Sequence, residues 1–328
     1  MRLRAIVQEE YPAVEDNEER KLTRRVGRVH LKQRLGIESD HTADVFGQGR
    51  NFFHIENWPP MRTLVLALLK GLGLYERGRR NAQTIHVRYN DVELAKLPAA
   101  FDGFTLLQLS DLHLDMNPRF PDVLMERLGE IDYDLCVMTG DFRGQTFGDF
   151  EPTLTELARV CSRIRRPSYA ILGNHDSIRM VPRIEDMGVT MLLNESLAIA
   201  RGGSKIYLAG IDDPHYFRVE NFEKAAHDIP HGAVSILLSH SPEPYRRAAH
   251  ADFDLMLSGH THGGQICLPG GIPLLTNADC PRRFCAGAWR YQGMQGYTSV
   301  GSGSSILDVR FNCPPEITLH RLRMSSPQ

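Results

Sequence analysis

LSGHTHGGQ, residues 257–265, places two histidines one residue apart among three glycines. Core packing does not call for this combination, because histidine fills a core poorly and each ordered glycine costs backbone entropy. The stretch follows a short apolar run, DLMLSG at 254–259, that has the length of a buried strand. Its meaning depends on what other segments bring to the end of that strand.

Four further apolar runs stop in the same manner. FTLLQLS (104–110) ends at Asp111 with His113 beyond it, and YDLCVMTG (133–140) ends at Asp141. SYAILG (168–173) ends at Asn174, His175 and Asp176, and VSILLS (234–239) ends at His240. Helix-patterned segments lie between them: FPDVLMERLGEI, EPTLTELARVCSRI, VENFEKAAHDI and PEPYRRAAH. TIHVRYNDVEL (84–94), VTMLLN, KIYLAG and PEITLHRL supply more strand pattern. Alternating strands and helices define an α/β fold. In open α/β sheets, ligand-binding groups gather at the carboxyl ends of strands.

Seven residues at these ends carry nitrogen or oxygen donors: Asp111, His113, Asp141, Asn174, His240, His260 and His262. No thiolate joins them, and imidazole with carboxylate suits Mn, Fe, Zn, Co or Ni better than Ca or Mg. Two divalent ions would bring four positive charges against the two carboxylates, leaving a cationic site for an anionic substrate and a hydroxide. Ions roughly 3.5 to 4 Å apart share a bridging water and clamp phosphoryl oxygens. Asp141, alone between the other groups, is the natural bridging carboxylate. In extended backbone, residues two apart point the same way, which would pair Asp111 with His113 and His260 with His262. Gly259, Gly263 and Gly264 would let the chain approach the ions and turn. Singly, each residue has an ordinary reading: Asp111 as a cap, Gly140–Asp141 as a tight turn, Asn174 as a left-handed turn residue. Those readings do not account for all the donors together.

DLH, GD, GNHD, SH and GHTH, in that order, resemble the motifs of the calcineurin-like metallophosphoesterase family. The resemblance implies a four-layer αββα sandwich of two mixed sheets flanked by helices. It implies one metal on Asp111, His113 and His262, a second on Asn174, His240 and His260, and Asp141 between them. His175 would protonate the leaving oxygen, and Asp176 would orient His175. GGQICLPGG, AGAWRY, GSGSS, RFNCPPEITL and GIDDP resemble a subgroup that includes membrane-associated proteins and UDP-2,3-diacylglucosamine pyrophosphatases. This implies a hydrolase of phosphate esters or anhydrides, with a lipid-linked diphosphate as substrate. The alternatives are a soluble cyclic nucleotide phosphodiesterase and a non-catalytic scaffold of the same fold. Arg282, Arg283 and His215 are candidate substrate contacts, as is His250. Asp212 and Asp213 read as loop-bonding residues, and His30, His41, His54, His86, His231 and His320 as structural or solvent-facing.

The chain has 328 residues, a formal charge of -2 and 24% charged residues, so it lacks the basic surplus of a nucleic-acid binder. Its six cysteines form no CxxC pair and read as reduced thiols, with Cys280 and Cys285 the pair spaced to join. Residues 1–95 read as a charged N-terminal extension and 96–328 as the phosphoesterase domain. EDNEERKLTRRVGRVHLKQRL (15–35) has the look of a solvated helix, broken by ENWPP at 56–60. The start of the chain shows no secretory signal. MRTLVLALLKGLGLY (61–75) is too short to span a bilayer, and its basic flanks suit either packing on the domain or peripheral membrane contact. A cytoplasmic location, peripheral on the inner membrane face, follows as the expectation.

Overall fold

The computed structural model describes residues 13–40 and 59–325. His41, His54 and residues 56–58 of ENWPP lie outside them. In chain order the first elements are α1 (Ala13–Val26), α2 (Arg28–Asp40), α3 (Pro59–Gly71), α4 (Tyr75–Ala82), β1 (His86–Leu94), β2 (Thr105–Leu109), α5 (Phe120–Gly129) and β3 (Leu135–Met138). There follow α6 (Glu151–Cys161), β4 (Ser168–Ala170), α7 (Val181–Asp186), β5 (Val189–Met191), β6 (Glu195–Arg201) and β7 (Ser204–Gly210). Next come α8 (Phe222–Ala226), β8 (Ser235–Leu238), α9 (Tyr245–His250), β9 (Leu255–Ser258), β10 (Cys267–Leu268) and β11 (Ile272–Pro273). The chain closes with β12 (Gly287–Tyr291), β13 (Met294–Thr298) and β14 (Glu316–Met324).

Two six-stranded mixed sheets form, ordered β1-β14-β2-β3-β4-β5 and β12-β13-β9-β8-β7-β6. β2, β3, β4 and β5 run parallel, as do β7, β8, β9 and β13. The central strands are apolar on both faces, and the period of two sends neighbouring residues to different layers. Leu106, Leu135 and Val137 face the second sheet, meeting Ile236, Leu238, Leu255 and Leu257. Leu107, Cys136 and Met138 face the opposite way, onto Leu124 and Leu128 of α5 and Leu157 of α6. On the far side of the second sheet, Leu237 and Met256 pack with Tyr245 and Ala248 of α9. The result is the αββα sandwich expected from the motifs.

The division expected at residue 95 does not coincide with a break in packing. β1, which precedes it, pairs in parallel with β14 over nine residues. The segment 15–35 is not a solvated helix. It is α1 and α2, broken at Gly27, whose φ of 91° suits glycine. Leu22, Val26 and Leu31 are buried in the core under the first sheet, and Arg34 is fully buried. The helix expected over 61–75 is α3. No helix among the described residues is long and apolar enough to cross a membrane. The six cysteines are free; Cys280 and Cys285 sulfurs stand 3.8 Å apart.

His320 in β14 is fully buried, its Nε2 2.9 Å from Gln108 Oε1 and its Nδ1 3.0 Å from Asn90 Nδ2. Burial pushes its pKa down to about 3. The unfolded chain takes up a proton near the ordinary value of about 6.5, while the folded chain does not. Stability from this group is therefore complete above about pH 6.5 and declines as pH falls towards 3. The slope is about 1.4 kcal/mol per pH unit. Urea unfolding across pH 4 to 8 should show a shallower acid loss in His320→Gln than in the parent. Parallel profiles would refute the assignment.

Candidate metal centre

β2 ends at Leu109, β3 at Met138 and β9 at Ser258, so the donors sit on the turns that follow. Asp111, His113, Asp141, His260 and His262 all hold positive φ, at 52°, 44°, 56°, 71° and 49°. This corrects the expectation of extended backbone. The i, i+2 spacing acts through left-handed turns, each costing on the order of 1 kcal/mol for a side-chain-bearing residue. It also sends His260 and His262 to different places.

His262 Nε2 lies 3.0 Å from His113 Nε2 and 3.7 Å from Asp111 Oδ1. His260 Nδ1 lies 3.2 Å from His240 Nε2, which is 2.9 Å from Asn174 Oδ1 and 3.3 Å from Asp141 Oδ2. Asp141 Oδ2 is also 3.9 Å from His113 Nε2, so it stands between the groups. Asp111, His113 and His262 form one group of buried donors; Asp141, His240 and His260 form the other.

The donor chemistry tests whether cations fit. His113 Nδ1 is 2.8 Å from the Arg143 carbonyl, and His240 Nδ1 is 2.8 Å from the Thr139 carbonyl. A carbonyl only accepts, so each Nδ1 carries hydrogen and each Nε2 is left to face the cluster. At His240 that Nε2 meets the oxygens of Asp141 and Asn174. So many acceptor atoms at close range draw in positive charge, as a proton or as a metal ion. The electrostatics agree. Burial pulls the His240 pKa down, but Asp141 and Asp111 hold it up at about 10. Burial would raise Asp141, yet His240, His175 and His113 hold its carboxyl well below the usual range. The two groups fit a dinuclear divalent metal site.

The remaining carboxylate lone pairs stitch the turns together. Asp111 accepts from the amide of His260 at 3.0 and 3.1 Å, and Asp141 Oδ1 accepts from the amide of His175 at 2.9 Å. Asp176 does not orient His175. Its Oδ2 accepts from the amides of Asp141 (2.8 Å) and Gly173 (2.9 Å), and its Oδ1 from that of Phe142 (2.9 Å). The partner at His175 Nδ1 is the Thr146 hydroxyl, at 2.8 Å. Arg143 fixes Thr146 by donating to the carbonyls of Thr146, Gly148 and His175. Gly259 is required by proximity, since a Cβ there would strike Ser110 Oγ and Asp111 Oδ2.

Sequence reasoning missed Thr146, Arg143 and Arg34. Arg34 Nη2 donates to the Asp176 carbonyl at 2.9 Å, and its guanidinium lies 3.3 Å over the Phe217 ring. Glu38, one turn on, accepts from Ser177 Oγ at 2.6 Å and from the Ile178 amide at 2.9 Å. α2 thus grips the Asn174–Asp176 turn from behind, and nothing in a densely charged segment marks those two residues out.

Of the candidate substrate contacts, His215 is buried beside His260, ring centroids 4.1 Å apart, with its Nδ1 2.8 Å from Glu243 Oε1. It braces His260 and does not line the cavity over the donors. Arg282 and Arg283 are exposed and do not line it either. Asp212 meets His30 Nε2 at 2.7 Å, and Asp213 accepts from the amides of His215, Tyr216 and Phe217.

Gly259→Ala should displace the Asp111 carboxylate and weaken Mn binding about tenfold or more, read by equilibrium dialysis with elemental analysis. Wild-type affinity would contradict the close approach. Arg34→Leu should cost about 3 kcal/mol in urea unfolding, because Asp212 loses a buried positive neighbour 3.7 Å away.

The model of the calcineurin-like phosphoesterase family matches residues 104–264, the span from β2 to the turn after β9 that contains all seven donors. Phosphodiesterase YaeI of Escherichia coli is 30% identical over 236 residues, covering 67% of this chain and 82% of that protein. Two metallophosphoesterases of Bacillus subtilis, both described as uncharacterized, are also similar. YkoQ is 26% identical, over 79% of this chain and 98% of its own length, and YkuE 28% identical, over 74% and 87%. Sheet order, paired donor groups and these similarities agree: the chain belongs to the calcineurin-like phosphoesterase family, a family of hydrolases.

Proposed function

We propose that this chain is a dinuclear metal-dependent hydrolase of phosphate esters or anhydrides, acting on a lipid-linked diphosphate such as UDP-2,3-diacylglucosamine. The observation that carries the reaction class is the convergence of seven donors from five strand ends, with His175 beside them. Its Nε2 lies 3.9 Å from Asp141 Oδ2. Asp111, His113 and His262 would hold one ion, Asn174, His240 and His260 the other, and Asp141 both. Mn, Fe and Zn suit this donor set. When bound, a pair of ions supplies Lewis-acid polarisation of a phosphoryl oxygen and a hydroxide near neutral pH.

The chain's own groups do the rest. Asp111 and Asp141 are fixed by amides of neighbouring turns, so the donors need no rearrangement to receive a charged substrate. In the imidazolium form of His175, Nδ1–H donates to Thr146 and leaves Nε2–H for the departing oxygen. Asp176 acts at one remove, by clamping the amides of Asp141 and Gly173. The lipid-linked part of the reading is supported by the apolar character of the approach over His260 and His262, where α3 stands. Such a substrate would set the enzyme to work at the cytoplasmic membrane face.

A soluble cyclic nucleotide is the second reading, since YaeI is named a phosphodiesterase without reference to lipid. Retention of His175 and all seven donors argues against a non-catalytic scaffold.

Purified protein should hydrolyse bis-p-nitrophenyl phosphate in Mn and lose that activity in chelator. Asp141→Ala should fall to background, and His175→Ala should lose on the order of a hundredfold or more in kcat. Full activity in Asp141→Ala would end the reading. A panel of UDP-diacylglucosamine, cyclic nucleotides and oligonucleotides decides the substrate, and turnover of the cyclic nucleotide alone would favour the second reading.

A further inference from the structure

A cavity of about 330 Å³ opens directly over the donors. Its floor is polar: Asp141, His175, His260 and His262. Its walls are not. Val65, Leu68 and Leu69 of α3 face Leu274, Leu275, Ile306 and Leu307 across it. The size falls in the range of small-molecule sites, and a polar floor below hydrocarbon walls matches an amphiphile. A free sugar phosphate has no group to fill such walls, and the single base of a cyclic nucleotide offers only a flat ring where a hydrocarbon chain offers a matching length.

The exterior continues the pattern. Among the described residues, ten large hydrophobic side chains are exposed; Leu68, Leu274 and Leu275 line this cavity, and Leu64, Leu72, Leu268 and Ile272 lie on the same two stretches of chain. Leu64 and Leu68 of α3, and Leu72 just past its end, follow at intervals of four, at 64%, 58% and 62% exposure. Leu268, Ile272, Leu274 and Leu275 belong to the β10–β11 hairpin and its exit, each at least 48% exposed. The inner face of α3 is spent on the domain, with Val65, Leu66 and Leu69 packed near Leu307 and Val309. Apolar side chains exposed singly need no explanation, but seven on two stretches that both wall one cavity do. Lys70, Arg77 and Arg80 are exposed close by, against one exposed acid, Glu76, on the same helices. A short helix with an apolar outer face and basic flanks suits an anionic lipid interface.

We propose that the cavity between α3 and the β10–β11 hairpin holds a hydrocarbon chain of the substrate, and that its leucine rim rests in the interfacial layer of an anionic bilayer. The substrate would then pass from the membrane to the metal donors without crossing water. The chain-binding part rests on the hydrolase reading above; the bilayer contact does not.

Two measurements test it. Vesicles of phosphatidylcholine with 30% phosphatidylglycerol, roughly the anionic content of a bacterial inner membrane, should sediment the protein. Leu64→Ser/Leu72→Ser/Ile272→Ser should reduce that binding about tenfold or more, with bis-p-nitrophenyl phosphate turnover unchanged. Below micelle formation, p-nitrophenyl dodecyl phosphate should show a KM about tenfold below that of the ethyl ester. Leu275→Trp, which fills the cavity from the hairpin, should erase that preference. Absence of vesicle binding, or rim-dependent dimerisation in its place, would overturn the bilayer contact. Equal KM for the two esters would overturn the chain site while leaving the hydrolase intact. Failure to cleave any ester in any metal would instead strike the hydrolase reading, and vesicle sedimentation would still decide the rim.

Discussion

Seven electron-rich atoms that repel one another are kept within a few ångströms, and the architecture around them is what resists that repulsion. The means is a carboxylate on one turn accepting from a backbone amide on another. Asp111 takes the His260 amide, Asp141 the His175 amide, and Asp176 the amides of Asp141, Phe142 and Gly173. All but the Asp176–Gly173 bond, which closes its own turn, join segments from different strands. Asp141 gives Oδ1 to the His175 amide and turns Oδ2 towards His240, so one side chain builds the pocket and would also serve a bound ion. Left-handed backbone at five donor positions is tolerated because these bonds over-determine it.

The strand cores and their order of donors were legible because both rest on short-range pattern. An apolar run ending in a polar residue reads as a buried strand with a functional tip, and β2, β3, β4, β8 and β9 all lie inside their expected spans. Direction was less legible. The spacing of His260 and His262 alone suggests a shared target, but the turn after Ser258 is left-handed and separates them. Asp176 follows His175 in sequence, yet its carboxylate is drawn to amides, which a buried anion needs more than a neighbouring ring supplies.

Helices α1 and α2 were the hardest to read. Dense charge of both signs hides three buried apolar residues, Leu22, Val26 and Leu31, and hides Arg34, whose charge is itself buried. Arg34 earns its place through a carbonyl, a carboxylate and an aromatic face contributed by segments more than 130 residues away. No local pattern encodes such a partner set. α3 packs one face on the domain and leaves the other open.

The placement of β14 bears on how the chain is made. It lies between β1 and β2, in parallel with one and antiparallel to the other. Until residues 316–324 have emerged from the ribosome, β2 has an open flank and β1 has no neighbour. β2 leads into Asp111 and His113. The nascent protein can thus complete its second sheet around β7, β8 and β9 while the half carrying those two donors waits for the final strand, a delay during which chaperones would meet an unfinished hydrophobic edge.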